Sequence, residues 1–143
     1  MTYEIVRMPQ GETQIREFLE NIGDFMAAMY PSEEEAVHGP LRFIMDHFLY
    51  LWDNGGLFFL LRKSDNGEIV AVAIISQYRD LWSNRPRVEI QRFAISDTLD
   101  EQKEQKDMVD YLKGVASLLK FDQIYYVRHY ADGSMFKELV WND

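Results

Sequence analysis

The sequence predicts one domain of the α/β (α+β) class, and three observations carry that expectation. Apolar residues recur at gaps of three and four in some segments and form short β-branched or aromatic runs in others, the two periods of helix and strand. The two kinds of segment follow one another in the order β, α, α, β, β, β, α, β, β. No linker or low-complexity stretch separates them along 143 residues, so residues 1–143 read as a single domain.

Thr2–Arg7 reads as a first strand, closed by Pro9. Beyond Gly11, Ile15, Phe18, Leu19, Ile22, Phe25, Met26 and Met29 form one continuous helical stripe that Pro31 stops. Ser32-Glu33-Glu34-Glu35 has the pattern of a capped helix start. A second stripe at Leu41, Ile44, Met45, Phe48, Leu49 and Trp52 ends at Asn54-Gly55-Gly56, residues suited to a left-handed cap. Leu57–Leu61 is a buried strand by composition. Asp65-Asn66-Gly67 is a hairpin turn, because Asn and Gly tolerate positive φ. Glu68–Tyr78 and Arg87–Ile95 are further strands, joined by a loop containing Trp82 and Pro86. The polar run from Asp97 precedes a third helix marked by Met108, Leu112, Val115, Ala116 and Leu119. Good helix formers and the absence of glycine start that helix at about Leu99, with Thr98 as its cap. Gln123–Tyr130 and Ser134–Trp141 are strands about a turn at Ala131-Asp132-Gly133.

Composition excludes several functions. Hydrophobic residues make up 47% and charged residues 27%, which is globular rather than disordered. A net charge of −9 argues against direct binding of nucleic acid through its phosphates. With no cysteine there is no disulfide, thiol nucleophile or cysteine-based metal site. The longest apolar runs, Leu57–Leu61 and Ile69–Ile75, fall well short of the ~20 residues of a membrane helix. No secretory leader pattern opens the chain, and the expectation is a cytoplasmic protein that does not enter membranes.

The local sequences resemble those of the GNAT superfamily of N-acyltransferases. Gly56-Leu57-Phe58-Phe59-Leu60 and Asn66-Gly67-Glu68-Ile69-Val70-Ala71-Val72-Ala73 resemble its second and third strands. Phe93-Ala94-Ile95-Ser96-Asp97 resembles the end of its fourth strand, and Met108–Phe121 with Gln123-Ile124-Tyr125-Tyr126-Val127 its main helix and fifth strand. The resemblance implies a mixed, mostly antiparallel sheet flanked by helices. It also implies acetyl-CoA as cofactor, held at a Q/R-x-x-G-x-G/A loop whose backbone N–H groups close around the pyrophosphate at a helix N-terminus. Aligned without a gap, this chain has Asp100 at the Q/R position and Lys103 and Gln105 at the two small-residue positions. Glu101 stands where many members carry an extra glycine, and no glycine occurs between Gly67 and Gly114. Side chains at Lys103 and Gln105 obstruct a close approach by phosphate. Asp100, Glu101 and Glu104 add like charge, each close pair costing on the order of 1 kcal/mol in water. Lys103 and Lys106 offset part of that. The expectation is a degenerate loop and no cofactor, with acetyl-CoA the alternative.

The family's late general-acid tyrosine has as its nearest counterpart Phe136, in Phe136-Lys137-Glu138-Leu139-Val140-Trp141, and phenylalanine has no proton to donate. The interval after the fifth strand is also too short for the helix that carries that tyrosine, and the C-terminus reads as truncated relative to the family. Glu89, alternating with Val88 and Ile90 on the fourth strand, is the one candidate base that the resemblance suggests. His38, His47 and His129 show no metal-ligand spacing, and Glu33–Glu35 reads as a solvated helix start, so no metal is expected. Four of the nine arginines, Arg79, Arg85, Arg87 and Arg92, lie close together with Tyr78 and Trp82. Arg and Trp are favoured interface anchors, so Arg79, Trp82, Arg85 and Arg87 are the candidate partner contact. These readings point to a non-catalytic GNAT-like protein, a pseudoenzyme that binds a protein partner or a second copy of itself as an assembly or accessory module. Compact proteins of this sort also occur in bacteriophages. The alternatives are a working acetyl-CoA-dependent N-acetyltransferase with an atypical loop and an acidic mimic of DNA.

Overall fold

The computed structural model describes residues 1–7, 12–29, 56–79, 82–130, 132 and 134–143. The capped start at Ser32–Glu35, the stripe from Leu41 to Trp52 and its cap at Asn54-Gly55 lie outside the described residues. The described elements are β1 (Thr2–Arg7), α1 (Glu12–Asn21), α2 (Gly23–Met29), β2 (Leu57–Lys63), β3 (Ile69–Arg79) and β4 (Pro86–Ile95). They are followed by α3 (Glu101–Leu119), β5 (Gln123–His129) and β6 (Met135–Asn142).

The six strands form one sheet in sequence order, β1-β2-β3-β4-β5-β6. Every pairing is antiparallel except β4 with β5, which is parallel over Arg87–Ile90 against Gln123–Tyr126. A parallel pair needs a long crossover, and α3 supplies it. The β2–β3 hairpin turns at Gly67, whose φ of +85° is open to glycine.

Both faces of the sheet are covered, which is why β2 reads as an unbroken apolar run. Leu57, Phe59 and Leu61 pack with Val72 and Ile74 against Leu19, Ile22 and Met29 of the α1/α2 layer. Phe58 and Leu60 face the other way, packing with Ala73, Ile75, Ile90 and Ile124 against Met108, Leu112 and Ala116 of α3. Each such large side chain, fully buried, contributes roughly 1.5–3 kcal/mol relative to exposure.

Two expectations are corrected. The first helical stripe is not continuous, because the chain turns at Ile22 and a new helix starts at Gly23. Gly23 is the poorest helix former of the run after proline, and the fully buried Ile22 is the pivot. The third helix begins at Glu101, not Leu99, and its cap is Asp100, not Thr98. Ser96–Leu99 closes a turn instead, with the Leu99 N–H donating to the Ser96 carbonyl at 3.1 Å. The Thr98 hydroxyl is taken up by that of Ser96, 3.2 Å away.

An ionic clamp fixes the first turns of α3. Arg62 of β2 pairs with the buried Glu104 and, at 3.0 Å, with Asp107. Its guanidinium lies over the Tyr3 ring, which stacks on Tyr111 with centroids 4.5 Å apart. Burial pushes the Tyr3 phenol up to about 12.

Candidate functional site

The site begins with an irregularity in β4. Ile74 pairs with Arg92 and Ile75 with Ile90, so Gln91 is an extra residue, a β-bulge. The parallel pairing with β5 stops at the same place, its last partners being Ile90 and Tyr126. Past that point a cleft of about 260 Å³ opens, lined by Gln91, Arg92, Phe93, Glu101, Gln105 and Tyr126 among others. The Gln105 amide donates to the Tyr126 hydroxyl at 3.0 Å, and a His129 ring nitrogen lies 2.9 Å from the carbonyl of the bulged Gln91. Burial, and then the charge of Glu101, raise the Tyr126 pKa.

The N-terminus of α3 stands at this cleft. Residues 101–105 continue the helix directly from Asp100, whose backbone is extended (φ −83°, ψ 118°). The Asp100 carboxylate accepts from the Gln102 N–H at 3.3 Å. The loop residues singled out in the sequence therefore separate in role. Asp100 caps, Glu101 stands exposed at the rim of the cleft, and Lys103 faces solvent. Glu104 turns back to Arg62, and Gln105 enters the cleft.

Glu89 lies on the sheet face that carries α1 and α2, only 1% exposed. The Tyr78 hydroxyl donates to it, Arg87 Nη2 lies 3.0 Å away, Lys137 Nζ 3.1 Å and Gln91 Nε2 3.1 Å. Arg87 is held between the Tyr78 and Tyr125 rings, 4.8 and 4.6 Å from their centroids. Burial and the Glu89 hydrogen bond raise the Tyr78 pKa. Burial works against the Lys137 ammonium, but Glu89 beside it holds its pKa above the ordinary value. Chemically this carboxylate is a hub for two cations. Sequence reasoning named Glu89 and Arg87 separately and missed Lys137. Lys137 reaches Glu89 only because β6 folds back on β5 with Lys137 opposite Val127, a register that no local motif encodes.

The β3–β4 loop lies at the end of β4 opposite the cleft, as the pairing of Arg79 with Pro86 and of Ala71 with Ile95 requires. Trp82 is 91% exposed. Arg79 donates to the Asn84 carbonyl at 3.0 Å, Arg85 pairs with Asp122 at 3.3 Å, and Arg92 donates to the Met29 carbonyl at 3.0 Å. With Arg87 committed to Glu89, all four arginines are tied within the chain. Phe136 lies on β6, and the Tyr130 N–H donates to the Ser134 carbonyl at 3.0 Å; Ala131 and Gly133 of the expected turn lie outside the described residues. Among the described residues no cluster of three or more His, Asp or Glu could hold a metal ion, and no helix is long and apolar enough to cross a membrane.

No family model and no curated protein matches this sequence. Solved structures do. A ribosomal-protein-alanine N-acetyltransferase from Brucella melitensis biovar Abortus 2308 matches with a TM-score of 0.60 at 11% identity, over 93% of this chain and 86% of that one. The fold is that of the GNAT acetyltransferases. A GNAT family acetyltransferase from Staphylococcus aureus matches with a TM-score of 0.58 at 16% identity, over 94% of this chain and 92% of that one. An aminoglycoside N-acetyltransferase in complex with CoA matches with a TM-score of 0.59 at 12% identity, over 92% and 79%. At such identities the likeness establishes the GNAT fold, with its mixed sheet, and leaves the chemistry to the residues.

Proposed function

We propose that this chain is a non-catalytic GNAT-fold protein that serves as a binding module for a protein partner. The observation that carries the reading is the Asp100 carboxylate on the Gln102 N–H. In the fold's enzymes that helix end is the seat of an anionic pyrophosphate. Here the chain supplies its own anion, and Glu101 adds a second negative charge in the first turn. Glu89 supports the same reading, since a proton acceptor needs a free lone pair and this carboxylate is engaged by Tyr78, Arg87, Lys137 and Gln91. The exposed Trp82 gives the partner a large apolar anchor.

The test is calorimetric titration with acetyl-CoA. The expected result is no saturable heat at sub-millimolar cofactor. Saturable binding that Lys103→Glu abolishes would favour the second reading, an N-acetyltransferase with an atypical loop. The cleft between β4 and β5 is the feature that recommends that alternative.

A further inference from the structure

We propose that the seam between β4 and β5 receives an extended peptide segment of the partner, which pairs with both strands as an inserted strand. The inference rests on the proposed reading of a binding module, in which acetyl-CoA does not occupy the cleft. It names the form in which a partner is taken, at a surface distinct from the Trp82 loop.

The two strands part inside the sheet, not at its edge. Their pairing ends at Ile90 and Tyr126, but β4 runs on to Ile95 and β5 to His129. On its other side each stays paired, β4 with β3 as far as Ile95 opposite Ala71 and β5 with β6 as far as His129 opposite Met135. Between them lies the cleft of about 260 Å³. Both layers line it, with Met29 of α2 and Gln105 of α3, so the opening lies in the plane of the sheet.

The registers decide which backbone groups face this opening. The Ser96 N–H donates to the Val70 carbonyl, so Ser96 turns its backbone toward β3. Antiparallel pairs alternate, so Ala94 and Arg92 do the same and Phe93 turns its N–H and C=O toward β5. Likewise the Tyr130 N–H donates to the Ser134 carbonyl. Tyr130 and Arg128 therefore turn toward β6, and Val127 and His129 toward β4. Phe93, Val127 and His129 all line the cleft, and among the described residues no backbone hydrogen bond joins the strands there. One side-chain contact spans the gap, the His129 ring nitrogen 2.9 Å from the Gln91 carbonyl. Buried main-chain groups require partners, and Val127 is only 2% exposed.

Another extended backbone is the chemistry that completes such a gap. Strand addition ordinarily pairs with one open edge, whereas a segment here meets two, its donors and acceptors alternating between β4 and β5. An uncharged backbone also escapes the repulsion that Asp100 and Glu101 impose on an anion at this end of α3. Side chains of the segment alternate between the α2 and α3 layers. The cleft lies below the roughly 300–1,000 Å³ of ordinary ligand pockets, so it selects small ones.

The test is an NMR titration of the full chain, followed at its backbone amides, with N-acetyl-trialanine amide and with the same peptide N-methylated at each alanine. Saturable shifts are expected at the Phe93, Val127 and His129 amides, with a dissociation constant in the millimolar range. N-methylation weakens binding at least about tenfold, since it removes the peptide's donors. No saturable shift at these amides with millimolar peptide, or equal shifts with the N-methylated peptide, overturns the proposal. Acetyl-CoA is titrated separately. Saturable binding of it overturns the reading of function, whereas the peptide arms decide the seam either way.

Discussion

Replacing Glu89 by glutamine tests whether this carboxylate holds the sheet together or waits to accept a proton. Glutamine keeps the shape and removes the charge that faces Arg87 and Lys137 at 3.0 and 3.1 Å. Breaking a buried pair by neutralising one partner costs about 3–5 kcal/mol, because the other charge stays buried without compensation. The two cations do not share that cost equally. The Arg87 side chain is 15% exposed and sandwiched between two tyrosines, so it cannot turn to water. Lys137 is 42% exposed and can, so its half is discounted. The expected loss is about 3 kcal/mol, a large part of the 5–15 kcal/mol of a typical domain. Urea unfolding followed by tryptophan fluorescence reads this as a midpoint lowered by roughly 1–2 M. Lys137→Met, the comparison, costs about 1 kcal/mol or less. A Glu89→Gln midpoint at the wild-type value would refute the hub and return Glu89 to candidacy as a base.

Other outcomes follow from the same contacts. Asp100→Ala removes the cap on Gln102 and destabilises the protein by about 1 kcal/mol in thermal or urea melts, whereas Asp100→Asn, which still caps, costs much less. Trp82→Ala leaves the melting curve within about 0.5 kcal/mol of wild type, since the ring is exposed; on the proposed reading it weakens binding of a protein partner by about 2 kcal/mol or more in titration. Alkali supplies a third check. The folded Tyr3 phenol titrates at about 12 against 10.0 ordinarily, and Tyr78 is shifted in the same direction. Between those values the folded chain binds more protons than the unfolded one. Stability is thus full below about pH 10 and declines as pH rises toward 12, and Tyr3→Phe makes the decline shallower in urea melts taken at successive pH values.

How much was legible in the sequence depended on the range of the interaction involved. The strands and the hairpin at Gly67 were readable because their signals are local: apolar runs, alternation and a residue that accepts a φ of +85°. The start of α3 was misplaced by two residues, since Thr98 and Asp100 are both good caps. The choice between them rests on the Ser96–Leu99 turn, which engages the Thr98 hydroxyl. The break at Ile22 was hidden because the apolar spacing runs through it without a flaw, and helical periodicity registers faces rather than turns. Glu89 was found through a family resemblance, but its partners were not. Tyr78, Arg87 and Lys137 come from three strands, and only the pairing registers set them around one carboxylate.

Those registers also connect the cleft with the rest of the sheet. The bulge at Gln91 lets β4 leave β5, and the same glutamine donates to Ser76 at 2.8 Å and to Glu89 at 3.1 Å. Lys137 then ties β6 to β4 across the strand between them. The β5–β6 hairpin is thereby held beside a seam where backbone pairing has already ended at Ile90 and Tyr126. On the proposed reading, a protein that keeps the parted strands of an acetyltransferase fold while spending Glu89 on bracing them has turned a catalytic position into a structural one. On the same reading, the capped helix at Asp100 is the corresponding change at the helix end where the fold's enzymes seat their cofactor. On that reading the two changes are separate: the Asp100 carboxylate engages the Gln102 N–H at the helix end, and Tyr78, Arg87, Lys137 and Gln91 engage Glu89 at the sheet face.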